Sequence, residues 1–382
     1  MKRILFISHE AARTGAPILL LHLLRWYRSI HPRVRTHVLT LAPGELMADF
    51  AEVSEACEQL LPERAPIRPG WLGRWERLFS GSKPPQGPRQ LQLQAIVRSV
   101  PDIIHANTVL SLPVAVQLLD IMERPAKLVL HVHEMQTIIR EYVPAFAQLA
   151  LRVDLFIAGS GLVRDELVDL WGVEPDRVEV VHEFTRIGAV GPVMPAGQGA
   201  MLHVGASGTA HWRKGDDLFI QLALHMRKHH PTVPVHFTWV GFMSHRQQGI
   251  LEGDLRKTGL GDHVRFIGAT QDPQDTYTSF DLFALTSRED PFPLVCIEVG
   301  MLGRPILCFD KATGTAEVLN QGGGQVVPYL DVGAMADAIA AYHHDRSRLQ
   351  RDGERAKELF SRFTPELQCP AIHACLLRAC EV

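Results

Sequence analysis

The sequence predicts an α/β protein of two Rossmann-like, doubly wound domains, and three observations carry that prediction. Short apolar runs of strand length alternate with helical patterns, which implies parallel sheets with helices on both faces. The alternation occurs twice, over Arg3 to Ala158 and again over Met201 to Pro328. Between the two sets the chain reads I-G-A-V-G-P-V-M-P-A-G-Q from Ile187 to Gln198, uncharged and rich in Gly and Pro, the composition of a linker. A length of 382 residues agrees with two domains.

In the first half, Arg3 to Ile7 is a short apolar strand and Ala16 to Trp26 a helix with apolar residues along one side. Strands recur at Thr36–Leu41, Asp102–Ala106, Lys127–His131 and Leu155–Ala158. Between the first strand and helix runs Ser8-His-Glu-Ala-Ala-Arg-Thr-Gly15, a glycine-bearing loop at a helix N-terminus, where doubly wound sheets meet phosphates or sugars. It is not G-x-G-x-x-G, so dinucleotide binding does not follow. Arg13 and Gly15 are either cleft residues or parts of a plain tight turn. The Lys127 strand ends in His131-Val-His-Glu134, and alternate histidines without further ligands are poor evidence for a metal. Asn107 and Ser160 close strands on the same sheet edge and are candidate acceptor contacts. The segment Pro62–Gln94 breaks the rhythm, with Trp71, Trp75 and Phe79 among six cations from Arg64 to Arg89. Residues 64–89 could make a peripheral contact with an anionic membrane, cover an acceptor site, or be an ordinary surface loop.

In the second half, strands are expected at Met201–Gly205, Val235–Gly241, Val264–Ile267, Leu282–Leu285, Ile306–Phe309 and Gln325–Pro328. After the first comes Val204-Gly-Ala-Ser-Gly-Thr-Ala-His-Trp-Arg-Lys-Gly215. Gly205 and Gly208 allow close backbone approach to a phosphate. Lys214 precedes a helix start, where the dipole disfavours a cation unless an anion is bound nearby. The stretch Thr286–Pro305 reads as strand end, polar turn and helix. Pro291 and Pro293 hold the turn extended, and Pro293 suits the first helical position. The N–H groups of Leu294 and Val295 can then point at an anion or hydroxyl. Asp290 and Glu298, with seven residues between them, can both face the mouth of this helix, although the dipole alone also favours acids there. Glu298 is flanked by Cys296, Ile297 and Val299, where a solvated glutamate is not expected. Thr313-Gly-Thr-Ala-Glu317 reads as a capped helix start, with Thr315 or Thr313 as cap. Pro365–Ala379 carries apolar residues at helical spacing, so the chain divides into 1–187, 188–364 and a terminal helix in 365–382.

Composition bounds the function. The chain is 46% apolar and 21% charged with a formal net charge of −3, against a dedicated nucleic-acid binder. No apolar run reaches transmembrane length and no signal-peptide pattern precedes the first strand. Six cysteines without a C-x-x-C pair indicate reduced, buried thiols, no structural zinc, and a cytoplasmic setting.

The Asp290-to-Glu298 stretch resembles the signature of the family-four retaining glycosyltransferases, and the likeness to their GT-B architecture, two such domains facing a central cleft, covers nearly the whole length. The resemblance implies that Glu298 holds the ribose hydroxyls of a sugar nucleotide and that Asp290 contacts the transferred sugar. Here Asp-Pro-Phe-Pro replaces a glycine-rich turn, and neighbouring Glu289 is an alternative to the shorter Asp290. His133-Glu134 matches a strand-end histidine on the sugar side, and Lys214 matches a lysine on the diphosphate. The family's arginine five residues earlier is Thr209 in this chain, so Arg213 would supply the second charge. The implied catalytic residues are Lys214, Asp290 and His133. Donor contacts fall on Gly15, Gly208, Thr209, Arg213, Lys214, Pro293, Leu294, Val295 and Glu298, and acceptor-side contacts on Arg13, Asn107 and Glu134. A nucleoside diphosphate sugar is the expected donor, and a sugar, lipid-linked or small-molecule acceptor the partner, in polysaccharide, lipopolysaccharide or glycoconjugate synthesis. No cofactor is expected. The chain has no D-x-D pair, so cations and helix N-termini would stabilise the leaving group in place of a metal. The run Thr313-Gly-Thr-Ala-Glu317 also resembles the family's glycine turn before a late helix, and resemblance has the terminal helix cross back to the first domain. Two other readings are a GT-B sugar-nucleotide epimerase, for which no acid–base constellation can be assembled, and a sugar-nucleotide-binding protein without turnover.

Overall fold

The computed structural model describes residues 2–63, 87–124, 126–188, 200–270 and 272–381. Most of the basic segment 64–89 and of the linker therefore lies outside the described residues. The chain forms two compact units, Met1–His131 with Ala145–Phe156 and Cys375–Val382, and Val132–Pro144 with Ile157–Ala374. Among the described residues no helix is long and apolar enough to cross a membrane.

The first sheet has seven strands: β1 (Arg3–Ser8), β2 (Arg35–Thr40), β3 (Ala56–Gln59), β4 (Ile103–Ala106), β5 (Lys127–Val132), β6 (Leu155–Ala158) and β7 (Val178–Val180). Their order is β3-β2-β1-β4-β5-β6-β7, with β1 parallel to both β2 and β4. Chain order reverses between β1 and β4, which makes that point the switch of a doubly wound sheet. Helix α1 (Gly15–Ile30) follows β1 and buries Leu19, Leu20, Leu23, Leu24 and Tyr27 along one face. The sequence pattern did not indicate β3 or β7. Both lie at sheet edges and are only partly buried, so neither needs a continuous apolar run.

The second sheet has six strands, β8 (Leu202–Ser207), β9 (Val235–Val240), β10 (Val264–Ile267), β11 (Leu282–Leu285), β12 (Ile306–Phe309) and β13 (Gly324–Val327). The order is β10-β9-β8-β11-β12-β13, and every neighbouring pair is parallel. β11 and β12 are buried along their whole length, as their uninterrupted apolar sequences require. On one face Phe219, Phe237 and Trp239 pack with Met335, Ile339 and Leu349; on the other Phe280 and Phe283 pack with Ile297, Val299 and Phe360. The switch of this sheet falls between β8 and β11. Loops leaving those two strands, 208–215 and 286–293, are the segments singled out from the sequence.

Candidate functional site

The loop after β8 is shaped by glycine and covered by a lysine. Gly208 has φ +145°, and a Cβ there would lie 3.3–3.4 Å from the aliphatic stem of Lys214, so the stem lies across the glycine. Gly241, at φ +150° after β9, lets the carbonyl of Gly208 approach to within 2.0 Å of where a Cβ would stand, and Trp239 Nε1 donates to that carbonyl at 2.9 Å. Gly205 plays a different part from the expected phosphate approach. It sits inside β8, where a Cβ would fall 2.0 Å from the Phe280 ring, so its bare backbone serves core packing. Thr209 is exposed. A 3-10 turn, Trp212–Lys214, leads through Gly215 at φ +71° into α8 (Asp216–His229).

The loop after β11 is stitched to this one. Thr286 Oγ1 donates to the Gly215 carbonyl at 2.9 Å, and the Arg288 N–H donates to the Arg213 carbonyl at 2.8 Å. The Arg288 guanidinium forks onto Asp217 with two bonds of 2.8 Å. Burial would raise the Asp217 carboxyl, but that fork holds it below its ordinary range. The far side is fixed too: Asp290 and Thr313 form a parallel bridge, and Gly314 donates its N–H to the Pro291 carbonyl at 2.8 Å. Two loops from separate strands thus behave as one rigid wall.

Into that wall the chain builds a cluster of charge. Asp290 is 4% exposed. Its Oδ2 lies 2.5 Å from Lys214 Nζ and accepts from Ser287 Oγ at 3.0 Å, while Oδ1 lies 3.2 Å from Arg213 Nη1. The same Nη1 donates to the Glu289 carbonyl at 2.8 Å. Burial lowers the Lys214 ammonium from its usual range despite the support of Asp290. Burial pushes the Asp290 carboxyl the other way, but Lys214 and Arg213 prevail and hold it low. Two cations beside one buried carboxylate leave a net positive site at the switch point. Glu289 is turned elsewhere: it is 8% exposed and accepts from Thr137 Oγ1 at 2.5 Å and Thr137 N–H at 3.2 Å.

Helix α11 (Leu294–Met301) follows the turn. Pro293, expected as the first helical residue, is instead the N-cap, φ −66° and ψ 130°, and the helix begins one position later at Leu294. The correction is small, since proline's absent N–H matters at neither position. Leu294 and Val295 occupy the first turn, where N–H groups lack intrahelical acceptors. Cys296, Ile297 and Val299 are buried, and Gly300 packs where a Cβ would meet the Phe360 ring at 2.4 Å. That tight seat fixes the helix, and with it Glu298. Burial pushes the Glu298 carboxyl up to about 7, against a hydrogen bond from Gln274 that lowers it.

His133 and Glu134 follow β5. His133 Nδ1 lies 2.5 Å from Glu183 Oε1, and Glu134 Oε2 accepts the His133 N–H at 3.1 Å. Burial favours the neutral ring, but the carboxylates of Glu183 and Glu134 outweigh it and raise the His133 pKa. Glu183 was not identified from the sequence. Its signal was present: His182-Glu183 after β7 repeats the His133-Glu134 pair after β5. Gly159 makes room for it, since a Cβ there would stand 2.7 Å from Glu183 Oε1. Glu317 accepts from the N–H groups of Gly161 and Leu162 at 3.2 and 2.9 Å, at the start of α7 (Gly161–Asp169). Ser160 is the fully buried N-cap of that helix, its Oγ accepting from the Val163 N–H at 3.3 Å. The helix after Thr313 is capped by Gly314, and Thr313 Oγ1 accepts from the Thr315 N–H at 3.1 Å.

Lys214, Arg213, Gly208, Asp290, Pro293, Leu294, Val295, Glu298, His133 and Glu134 all lie in the second unit, whereas Arg13, Gly15 and Asn107 belong to the first. Gly15 opens α1. The exposed Arg13 guanidinium is 3.8 Å from Asp49, and buried Asn107 donates its amide to the Ala16 carbonyl at 2.9 Å.

Comparison with known proteins adds the following. The chain matches the family described as Glycosyltransferase Family 4 over residues 15–185 and that described as Glycosyl transferases group 1 over residues 200–345. It is 29% identical over 217 residues to the lipopolysaccharide core biosynthesis mannosyltransferase LpsB of Rhizobium meliloti, 53% of this chain and 58% of that protein. It is 26% identical over 223 residues to a D-inositol 3-phosphate glycosyltransferase of Nocardia farcinica, 55% of this chain and 49% of that protein. The chain thus spans about half the length of these curated relatives. Among solved structures, Anabaena Alr3699/HepE in complex with UDP-glucose superposes with a TM-score of 0.78 at 20% identity, covering 99% of this chain and 100% of that one. The outer core galactosyltransferase WaaB superposes at 0.73 and 14% identity, covering 99% of each. These structural likenesses establish the fold as GT-B, with two Rossmann-like domains.

Proposed function

The chain belongs to family four of the glycosyltransferases, and from that premise we propose that it moves a sugar, with retention, from a nucleoside diphosphate sugar to a carbohydrate or glycolipid acceptor. The observation that carries this reading is the paired cations Lys214 and Arg213 at the switch of the second sheet, one short turn from Glu298 on α11. A departing diphosphate needs positive charge that is already in place when the glycosidic bond breaks. Lys214, held by the two stitched loops, supplies it without reorganisation. Leu294 and Val295 offer helix N-terminal N–H groups to the same anion. Glu298 accepts from the ribose hydroxyls. His133, whose Nδ1 is held by Glu183, lies on the sugar side and donates a ring N–H to a sugar hydroxyl. The acceptor hydroxyl attacks the anomeric carbon from the face that the diphosphate leaves, and the released diphosphate takes up its proton. Uridine and glucose in the HepE complex, and mannose transfer by LpsB, make UDP-glucose and GDP-mannose the first donors to try.

The test incubates the full chain with UDP-, GDP- and ADP-sugars, with and without saccharide acceptors and with excess EDTA, and follows nucleotide release and product configuration. Acceptor-dependent release that survives EDTA, giving an α-linked product from an α-linked donor, is expected. Appearance of an isomeric sugar nucleotide would point to an epimerase, and binding without turnover to a non-catalytic protein.

A further inference from the structure

In the first turn of the signature, the acid expected against the transferred sugar is Asp290, and its surroundings suit another task. Both carboxylate oxygens are engaged: Oδ2 with Lys214 Nζ at 2.5 Å and Ser287 Oγ at 3.0 Å, Oδ1 with Arg213 Nη1 at 3.2 Å. The side chain is short, buried to 4% exposure, and its backbone is pinned by an N–H bond to the Ala312 carbonyl at 2.8 Å and by the bridge to Thr313. A carboxylate held in this way cannot swing outward. The longer acid beside it, Glu289, is occupied by Thr137. Two cations drawn partly out of water, Lys214 at 15% and Arg213 at 27% side-chain exposure, need a counter-ion while the site is empty, because charge removed from water and left unpaired is destabilising.

We propose that Asp290 is this counter-ion: a positioning residue that holds Lys214 and Arg213 in place for the diphosphate and yields part of its hold when the diphosphate arrives. The proposal rests on the reading of Lys214 and Arg213 as the diphosphate cations, and assigns Asp290 to them in preference to the sugar. No covalent step is involved. The carboxylate competes with the substrate anion for the same ammonium, so it weakens ground-state binding while keeping the ammonium where the transition state needs it.

The experiment compares UDP with UDP-glucose, GDP with GDP-mannose and ADP with ADP-glucose on the full chain by calorimetry, together with turnover. In Asp290→Asn the nucleoside diphosphate is expected to bind about tenfold more tightly at pH 7, since a competing charge at contact distance has gone. Its sugar conjugate should tighten by the same factor, and kcat should fall. Asp290→Glu, which keeps the charge, should bind the diphosphate within about threefold of the original chain. A diphosphate affinity left unchanged in Asp290→Asn, with only the sugar conjugate weakened, would show a sugar contact and overturn the proposal. Should Asp290→Asn not fold alone, refolding with millimolar diphosphate is the second measurement. Recovery of folded protein is expected because the anion replaces the missing carboxylate, and no recovery while Asp290→Glu folds also overturns it. If the unmodified chain binds none of the three pairs, the glycosyltransferase reading itself fails, which is a separate result.

Discussion

Replacing Glu298 by glutamine should make the empty protein more stable and a poorer binder, and the size of the first effect follows from the structure. Burial lifts the carboxyl from an ordinary 4.5 to about 7, so the folded chain holds this proton over a range in which the unfolded chain has lost it. That difference corresponds to about 3 kcal/mol against folding. An acid whose folded pKa is raised lowers stability progressively as pH climbs from its unfolded to its folded value. The penalty is therefore small near pH 5 and nearly complete at pH 8. Glutamine keeps the shape and a partner for Gln274 but carries no charge. Thermal midpoints of both proteins, followed by circular dichroism at pH 5 and pH 8, should differ little at the lower pH and by several degrees at the higher one. Donor binding reports the other half. On the proposed role of Glu298, ribose hydroxyls would stabilise its ionised form, so nucleotide affinity in the original chain should rise with pH through about 7, relative to a weaker and less pH-dependent Glu298→Gln. An equal difference in midpoint at both pH values, or a glutamine variant less stable at pH 8, would refute the burial of charge inferred for this side chain.

Two further outcomes are expected of the loop after β8. Lys214→Ala should lower kcat by about 10²–10³ with a smaller rise in donor KM, as measured by steady-state kinetics, because the ammonium matters most when charge develops on the leaving oxygen. Lys214→Arg should restore only part, since a planar fork does not fit where a compact ammonium lies across Gly208. Gly208→Ala should destabilise the fold by about 1–3 kcal/mol in thermal unfolding, because φ +145° is essentially closed to other residues. It should also weaken donor binding by pushing on the Lys214 stem.

How much of this could be read from the chain depended on how local each cause was. β6, β11 and β12 appear at the residues their sequences predict because a strand buried on both faces must be continuously apolar. The edge strands β3 and β7 escape that requirement and left no pattern. Lys214 and Glu298 stand out in the sequence because each contradicts its setting, one a cation at a helix start and the other an acid among apolar neighbours. The Lys214–Asp290 and His133–Glu183 pairs were not legible as pairs. They join residues 76 and 50 positions apart, and only the parallel register of the sheets decides who meets whom. Gly205 was misread for a related reason: one glycine looks like another until the ring of Phe280 is seen to fill the space beside it.

The strand order of the second sheet also governs how this protein can be made. β8 is central, yet one of its two neighbours, β11, is synthesised only after β9 and β10. Parallel pairing gives no hairpin that could form locally, so the sheet must be closed by contacts distant in sequence, which folds slowly. A nascent chain ending near residue 281 already carries β8, β9 and β10 but offers one long apolar edge of β8 with nothing beside it. In that interval the edge is open to any other extended chain, and the hazard is aggregation. The loops that become the charged wall come together only when β11 takes its place, so the site is among the last features of the unit to exist.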